Sequence, residues 1–423
     1  MKKILAFDSW TGGRHHLIRL TQDLPEFNFS LKLLHLGSWG DDLGRDKQER
    51  IDSLDIVDIS FYGKLGLDEI LELESPDIVL FLSTHTFAHR ALIRYSKKKG
   101  IPTFLLGHGL VGVMANKKES VDFSRFFNRL VFIFPRIGRF FIYVLPAYIN
   151  ALRKTGGEAQ DWFHLLKDIG ASFISSGYLG VSPMDSRTTA YAVYTQGEIS
   201  EYTFRYKCKR EDIFVVGNPD LLHFGFADNN FGLCSDFELS DTNELMYIQT
   251  GYELEGLFFK DDDDFFGHIM KTKAALIQQS LSLTVKLKQG DSRPKLTEKL
   301  LANDIDVIRN EDYLSRLKSS VAVIIEPTTA ALIPALLGLP LLLARYGPLS
   351  DAPFGKVFLS YPMAQNLTNP SDVINCLIKL RNIRNHDEIK HWIDENSGPP
   401  ANHMPRRVLQ AIHTLLTRTI KVG

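Results

Sequence analysis

Two stretches of the sequence share one order of elements: an apolar strand, a polar turn, a helix, Gly-x-Pro and a second apolar strand. They span residues 75–109 and 321–347, with "GIP" (100–102) and "GLP" (338–340) in equivalent places. Short apolar runs without alternation predict strands buried on both faces, and a helix between two such strands makes a parallel crossover. Each stretch therefore predicts part of a parallel α/β sheet.

Further strand-like segments flank each copy of this unit. "KKILAFD", "FSLKLLHLG" and "AYAVYTQ" accompany the first copy, and "ELMYIQTG" and "LTVKLKQG" accompany the second. At 423 residues the chain also exceeds the usual size of a single core. The sequence predicts an α/β protein of two Rossmann-like, doubly wound domains that face each other across a cleft. We assign residues 1–224 to the first domain, 225–243 to a polar linker and 244–423 to the second domain.

Composition excludes several classes of protein. A formal net charge of -1 provides no overall field to hold nucleic acid. The three cysteines are far apart in sequence and form neither a disulfide framework nor a zinc pattern. In the opening "MKKILAF" the apolar run ends at Asp8, which favours a strand over a signal peptide. We therefore expect a cytoplasmic protein that does not bind nucleic acid.

The turn "EPTT" follows the first strand of the second copy, where a buried unit must reach the surface. Pro327 can open a helix, whose free N–H groups would form a phosphate cradle with the hydroxyls of Thr328 and Thr329. Glu326 would accept hydrogen bonds from ribose hydroxyls. The alternative is an ordinary helix cap beside a carboxylate that is satisfied within the protein. Its position at the end of a strand favours binding.

"LLGHGLVG" places His108 between Gly107 and Gly109, directly after a strand. Glycines allow a ligand to approach the backbone closely, and a histidine that titrates near neutrality is a candidate general base for a hydroxyl. The alternative interpretation is a structural histidine. The glycines on both sides favour the functional one.

"DSWTGGRHH" follows the first strand and holds a second candidate base, Asp8. Gly12 and Gly13 would let the acceptor or a phosphate approach. Two glycines do not make a dinucleotide fingerprint, which needs a third at the correct spacing. We rank Asp8 behind the histidine of the previous motif.

Two smaller patterns involve cations and histidines. Lys286, Lys288 and Arg293 lie near a strand exit, where one of them would contact a phosphate oxygen, although an exposed basic turn explains them equally well. His85 and His89 have the i, i+4 spacing of a metal pair, but no acidic residue between them completes a zinc motif. We therefore expect no metal site.

Residues 124–154 are rich in aromatic and aliphatic side chains. The charged residues in this segment are all cations: Arg125, Arg129, Arg136, Arg139, Arg153 and Lys154. Arginine and proline interrupt the segment too often for an easy transmembrane helix, and the pattern favours an interfacial segment on anionic lipid. The alternative is a buried helical hairpin with snorkelling arginines.

Together these motifs resemble GT-B glycosyltransferases, especially the bacterial group that makes capsule, lipopolysaccharide or teichoic-type polymers. "IPTFLLGHGL" resembles the turn that carries a candidate base in that group, which implies this role for His108. "IFVVGNPDLL" resembles the turn that leads into the donor domain, with Gly217 and Asn218. "EPTTAALIPALLGLPLLL" resembles the donor-site turn and helix, which implies that Thr328 and Thr329 bind donor phosphate.

The resemblance is incomplete at one place. Many relatives carry His-Pro after the strand that corresponds to "VKL", and this chain has Lys288 followed by Gln289. Either the lysine replaces the histidine at the donor phosphate, or the site has altered or lost its activity. Gly251, which ends "ELMYIQTG", completes the set of candidate donor-binding residues.

The resemblance implies a metal-independent enzyme without a cofactor. It would transfer a sugar from a nucleotide-sugar donor to a lipid-linked or oligosaccharide acceptor in cell-surface polysaccharide synthesis. We expect it to be peripheral at the inner face of the cytoplasmic membrane and to bind that surface through residues 124–154. The alternatives are a glycerol- or ribitol-phosphate transferase, a non-catalytic scaffold subunit and a sugar-nucleotide epimerase.

Overall fold

The computed structural model describes most of the chain. The described residues are 1–39, 46–107, 138–174, 184–228, 231, 243–250, 259, 261–288, 293–326, 328–345, 358–381 and 386–422. They divide into two compact units. The first contains the described residues of Met1–Leu110, Asn116–Asn218 and Asn402–Gly423, and the second contains those of Pro219–Ala401.

Eight strands of the described chain form the sheet of the first unit. They are β1 (Lys2–Asp8), β2 (Phe29–His35), β3 (Gln48–Ile51), β4 (Leu54–Asp58), β5 (Ile78–Phe81), β6 (Thr103–Leu106), β7 (Ala190–Val193) and β8 (Ile213–Val215). Their order is β3-β4-β2-β1-β5-β6-β7-β8, and all neighbours are parallel except β3 and β4. Strands β5, β6 and β7 are buried along their whole length, as their continuous apolar sequences predict.

The described residues of the second unit form a sheet of six parallel strands. They are β9 (Glu244–Ile248), β10 (Ser282–Lys286), β11 (Asp306–Val307), β12 (Ala322–Ile325), β13 (Leu341–Ala344) and β14 (Ala364–Leu367). Their order is β11-β10-β9-β12-β13-β14, so the chain starts in the middle of the sheet and fills one side before the other. This is the strand order of a doubly wound nucleotide-binding fold. The predicted fold class, two parallel α/β domains, is confirmed.

The described helices connect these strands. In chain order they are α1 (Trp10–Leu17), α2 (Leu67–Glu74), α3 (Phe87–Lys98), α4 (Leu145–Thr155), α5 (Ala159–Ile174), α6 (Ile199–Tyr206), α7 (Asp262–Ile277), α8 (Pro294–Leu301), α9 (Tyr313–Ser319), α10 (Leu332–Leu336), α11 (Val373–Arg381), α12 (His386–Ser397) and α13 (Met404–Val422). Within the described chain, no helix combines the length and the apolarity that a membrane crossing needs.

Helix α13 changes the predicted division of the chain. Its buried side chains join the core of the first unit, where the helix contacts β7, and they are Met404, Val408, Leu409, Ala411, Ile412, Leu415 and Leu416. The sequence prediction assigns this stretch, within residues 244–423, to the second domain. The structure instead places residues from Asn402 onward in the first unit, because their apolar face packs against that sheet.

The boundary between the units also differs from the predicted linker. It falls between Asn218 and Pro219, earlier than the polar stretch that begins at residue 225. Leu221 is fully buried and the ring of Phe224 lies 5.9 Å from that of Tyr313 in the second unit. These apolar contacts, which polarity alone does not reveal, attach residues after 218 to the second unit.

Candidate functional site

The strand order of the first sheet reverses between β1 and β5. After β1 the chain crosses to β2 on one side of this point, and after β5 it crosses to β6 on the other side. Doubly wound sheets bind ligands in the crevice at the carboxyl ends of two such strands. Asp8 is the last residue of β1, and residues 82–86, "LSTHT", follow β5. The structure therefore brings the predicted Asp8 turn and the histidine-containing turn after β5 to one edge of the sheet.

The Asp8 carboxylate is nearly buried and is held from two sides. Its Oδ1 accepts hydrogen bonds from the backbone N–H of Ser9 at 2.7 Å and from the Ser9 hydroxyl at 3.2 Å. Its Oδ2 lies 3.5 Å from Nε2 of His89. The first pair of contacts follows from local sequence, because Ser9 caps α1 directly after the strand.

His89 was not predicted as part of this site, except as half of a disfavoured metal pair. It lies in the first turn of α3, is buried, and contacts the rings of Phe7 and Phe81 with centroid separations of 5.3 and 6.0 Å. Thr86 caps this helix, and its Oγ1 lies 2.5 Å from Nδ1 of His89. Among the described residues, no group of three or more His, Cys, Asp or Glu side chains could hold a metal ion.

Gly12 and Gly13 lie inside α1 and have different surroundings. A Cβ on Gly13 would lie 2.7 Å from both methyl carbons of Leu33, so this glycine allows α1 to pack on β2. A Cβ on Gly12 would lie 2.9 Å from the Ser9 hydroxyl and 3.6 Å from Oδ1 of Asp8. Only Gly12 of the two therefore borders the candidate base.

Gly107 follows β6, the next strand of the same sheet. A Cβ here would lie 2.7 Å from the hydroxyl of Tyr202 and 3.0 Å from the carbonyl oxygen of Ala192, so close packing already explains the glycine. His108 and Gly109, the other two residues of this predicted motif, lie outside the described residues. Their predicted roles stay predictions.

The strand order of the second sheet reverses between β9 and β12, and Glu326 directly follows β12. The Glu326 side chain is fully buried and turned toward the neighbouring strand. Its Oε2 accepts hydrogen bonds from the Thr250 backbone N–H at 2.9 Å and from the Thr250 hydroxyl, and Tyr247 donates to Oε1 at 3.5 Å. These contacts match the alternative of a carboxylate satisfied within the protein, and the contact of Glu326 with ribose hydroxyls stays a prediction.

Thr328 and Thr329 lie just beyond this carboxylate. Thr328 is half-buried and its Oγ1 accepts a hydrogen bond from Ala330 N–H at 3.3 Å, at the start of a short 3-10 turn that leads into α10. Thr329 is exposed. The predicted helix start is therefore present, although it is one tight turn followed by a short helix. Pro327 lies outside the described residues.

The predicted basic turn after β10 separates into three environments. Burial lowers the pKa of Lys286, whose Nζ donates to the carbonyl oxygen of Leu287 at 2.7 Å. Arg293 is buried and forms an ion pair with Asp262 at 2.8 Å. Of the three cations only Lys288 has an exposed side chain, so it is the one available to an anionic ligand.

The backbone beside Lys288 is fixed by a buried glutamine. Gln249 follows β9 and its Oε1 accepts a hydrogen bond from the Lys288 N–H at 3.0 Å. Gly251, two residues further along the chain, lies outside the described residues. Thr250 and Gln249 were not among the predicted site residues, although their polarity directly after an apolar strand was a usable signal.

Gly217 and Asn218 follow β8 and are the last residues of the first unit before the boundary. Gly217 has φ of 96°, a conformation that favours glycine, and its N–H donates to the carbonyl oxygen of Tyr194 at 3.2 Å. Asn218 is buried. These two residues therefore follow a strand of the first sheet, whereas the other candidate donor residues follow β9, β10 and β12 of the second sheet.

The described part of the aromatic and basic segment divides into a packed and an exposed portion. Tyr148 and Leu152 of α4 are buried against α3. Residues Phe140–Val144 form a π-helical turn in which Phe141, Ile142 and Tyr143 are 45%, 64% and 43% exposed. Neither alternative for this segment describes all of it.

A half-buried ring, Trp39, and an exposed ring, Phe61, from neighbouring turns continue this surface. Tyr143 stacks on Trp39 with centroids 6.0 Å apart, and the turn that contains Trp39 contacts the turn that contains Phe61, which is 51% exposed. We call Trp39, Phe61, Phe141, Ile142 and Tyr143 the aromatic surface. Trp39 and Phe61 follow the carboxyl ends of β2 and β4, so the surface lies at the same edge of the sheet as Asp8.

Comparison with solved structures establishes the fold class. The calicheamicin glycosyltransferase CalG4 matches over 99% of both chains with a TM-score of 0.54 and 13% identity. The glycosyltransferase of kitacinnamycin matches over 99% of both chains with a TM-score of 0.50 and 10% identity. No protein-family model matches the sequence, and comparison with curated proteins finds no match. The chain has the GT-B fold over 99% of its length, and the low identities limit the likeness to the fold.

Proposed function

We propose that this chain is a glycosyltransferase that moves a sugar from a nucleotide-sugar donor to a lipid-linked or oligosaccharide acceptor in cell-surface polysaccharide synthesis. The observation that best supports the proposal is the pair of polar clusters at the two strand-order reversals. Each of the two sheets of this chain has one polar cluster, at the edge where doubly wound sheets bind ligands. One cluster contains a nearly buried carboxylate, and the other contains the exposed Thr329, the half-buried Thr328 and a lysine.

The donor binds the second unit in this proposal. The exposed Thr329 hydroxyl and the Lys288 ammonium contact the diphosphate, and Thr328 shapes the turn beneath it. Glu326 acts from below, because its carboxylate holds the Thr250 backbone and hydroxyl rather than reaching the surface. Pro327 and Gly251, in the same two turns, complete the proposed donor site.

The acceptor binds the first unit, with Asp8 or His108 as general base. The base removes the proton of an acceptor hydroxyl as its oxygen bonds to the anomeric carbon of the donor sugar. The bond from that carbon to the phosphate oxygen breaks, and the nucleoside diphosphate leaves with the electron pair. Lys288 stabilises the charge on the departing phosphate without a metal in this mechanism.

A donor panel tests the proposal. Calorimetry with UDP-glucose, UDP-N-acetylglucosamine, GDP-mannose and CDP-glycerol should give binding of one sugar donor, weakened at least tenfold by Lys288→Ala. Turnover of a sugar donor releases a nucleoside diphosphate, whereas glycerol-phosphate transfer from CDP-glycerol releases CMP. Binding of no member would favour the non-catalytic scaffold, and binding that Lys288→Ala leaves unchanged would refute the proposed donor site.

We further propose that the aromatic surface rests on an anionic membrane. Four of its five side chains are exposed, and the surface lies at the sheet edge of Asp8. The segment 124–154, which supplies three of the five residues, carries only positive charges. Each arginine close to an anionic bilayer adds about 1 kcal/mol of attraction that weakens with salt. A lipid-linked acceptor could then keep its anchor in the bilayer while its sugar reaches the first unit.

Vesicle sedimentation tests the membrane proposal. The double variant Phe141→Ser, Ile142→Ser should lose most binding to vesicles of phosphatidylserine and phosphatidylcholine. The double variant Arg136→Glu, Arg139→Glu should also bind these vesicles less than the unaltered chain does, and the difference should shrink as the salt concentration rises. Ile378→Ser is the matched control, since Ile378 is 52% exposed but lies in the second unit. Equal binding by all variants would refute the proposal.

A further inference from the structure

We propose that His89 is a positioning residue that holds the Asp8 carboxylate for base catalysis, and that Thr86 fixes the tautomer of this histidine. The inference rests on the proposed function, because it names how one of the two candidate bases is oriented. It concerns residues that the sequence motifs do not connect. His89 contacts Asp8 and lies too deep to be assigned a contact with the acceptor.

The hydrogen bonds of Thr86 point to one tautomer. Its hydroxyl oxygen accepts the backbone N–H of His89 at 3.3 Å, which is the cap of α3, and the same oxygen lies 2.5 Å from Nδ1 of that histidine. If Nδ1 is unprotonated, the Thr86 hydroxyl proton has an acceptor. The proton of a neutral His89 then resides on Nε2.

The other side of the ring also calls for a proton on Nε2. Nε2 of His89 is buried, makes no hydrogen bond that meets full geometric criteria within the described residues, and faces Oδ2 of Asp8 at 3.5 Å. An unprotonated Nε2 would place a lone pair against an anionic oxygen. A proton on Nε2 turns this contact into an attraction, and free enzymes often hold such catalytic contacts longer than a full hydrogen bond.

The surrounding packing fixes where the ring lies. Phe7, the residue before Asp8, and Phe81, the last residue of β5, contact the imidazole at steep interplanar angles of 74° and 60°. Asp8 is thus oriented through Oδ1 by Ser9 and through Oδ2 by His89. Two fixed contacts on different oxygens leave the carboxylate little rotational freedom, which is what a positioned base needs.

Nuclear magnetic resonance of the full chain tests the tautomer directly. With ¹⁵N-labelled histidine, and His89→Gln to assign the signals, we expect a protonated Nε2 and an unprotonated Nδ1 for His89. Thr86→Val should mix the tautomers and shift the ¹³C signal of the Asp8 carboxyl, and Thr86→Ser should restore both. The inference is wrong if Nδ1 of His89 is protonated in the unaltered chain, or if Thr86→Val leaves the ¹³C chemical shift of the Asp8 carboxyl unchanged.

Turnover of the sugar donor identified by the panel supplies the catalytic test. Thr86→Val should lower kcat by about tenfold, a fraction of what a general base contributes, with donor affinity within about twofold. Thr86→Ser should recover most of the loss. Asp261→Ala, which removes the cap of α7, controls for the loss of a helix cap and should leave kcat unchanged.

The two hypotheses fail in distinguishable ways. In the first case, the unaltered chain turns over no donor, but His89 has the expected tautomer and the Asp8 ¹³C signal shifts on Thr86→Val. This result would refute the proposed function and retain the role of His89 as the residue that orients Asp8. Turnover that Thr86→Val and His89→Gln leave unchanged would refute that role while retaining the glycosyltransferase.

Discussion

Gly12 keeps open the space beside the Asp8 carboxylate. A Cβ at this position would lie 2.9 Å from the Ser9 hydroxyl, closer than real contacts allow, and 3.6 Å from Oδ1 of Asp8. Ser9 holds that same oxygen, so a methyl group here moves a residue that orients the candidate base. Gly12 therefore matters through its missing side chain.

We predict that Gly12→Ala lowers acceptor-dependent turnover by about tenfold while leaving donor affinity in the second unit unchanged, because it disturbs the base and not the phosphate site. Gly267→Ala is the control. Gly267 lies inside α7 with no atom near the added Cβ, so alanine there should stabilise the protein by about 0.5–1 kcal/mol and leave turnover intact. Equal effects of both changes on turnover would contradict the argument.

At the residue scale, sequence predicts position better than orientation. Glu326 was correctly placed at a strand end, yet its carboxylate turns toward Thr250 of the neighbouring strand, and no local pattern reveals which way a side chain turns. His89 was missed because its contact with Asp8 joins residues on different elements. The spacing Thr-x-x-His from Thr86 was the one local signal, since it describes a capping residue and the ring that it contacts.

Among the elements, α2 shows how a helix is fixed to a sheet by a single carboxylate. Glu74 is the last residue of α2 and is buried. Lys32 of β2 lies 2.9 Å and Lys3 of β1 lies 2.5 Å from its Oε2, and Tyr62 donates a hydrogen bond to Oε1. Burial raises the pKa of Glu74, but the hydrogen bonds from Lys3, Tyr62 and Lys32 outweigh it and lower the pKa below 4.5.

We predict that Glu74→Gln destabilises the protein by about 2 kcal/mol at pH 7, since it leaves two cations beside a neutral amide. Because the folded pKa of Glu74 is depressed, its stabilisation is complete above about pH 4.5 and is lost as the pH falls through the folded value. Urea unfolding should therefore show the difference between the two chains narrowing below pH 4.5. Glu72→Gln, at an exposed pair with Lys99, should cost less than about 0.5 kcal/mol.

At the element scale, the strands with continuous apolar sequence could be predicted, because burial on both faces leaves a clear pattern. The antiparallel edge strand β3, "QERI", could not, since its alternating exposure resembles a polar loop. The division of residues 138–155 into an exposed π-helical turn and a packed helix also needed the structure. Its apolar residues look alike in sequence, and only their neighbours decide which of them are covered.

For the whole molecule, α13 supplies a large part of the first unit's core. It comes after the entire second unit in sequence, yet six of its large side chains are buried in the first unit's core. Burial of that many side chains contributes on the order of 10 kcal/mol, comparable to the net stability of a domain. Sequence periodicity identifies an amphipathic helix here but not the sheet on which it packs.

We predict that Val408→Asp selectively unfolds the first unit. Val408 is fully buried, whereas Gln410, two positions along the same helix, is exposed, so Gln410→Asp introduces the same residue into the same helix without burying a charge. Limited proteolysis should cut Val408→Asp within residues 1–218 while residues 219–401 stay protected. Equal protection of both variants would mean that α13 is not needed by that core.

Because the chain is synthesised from its amino terminus, α13 is made long after the sheet on which it packs. The described residues of the second unit all lie between 219 and 401, so all of its described strands have emerged from the ribosome before the final helix emerges. The amino-terminal sheet, although translated first, waits with part of its apolar surface uncovered until residues 402–422 emerge. Such exposed apolar surface is what chaperones bind and what aggregates at high concentration. The unit that is synthesised second can therefore complete its fold first. We expect the yield of soluble protein to depend on the supply of chaperones even if the finished fold is stable.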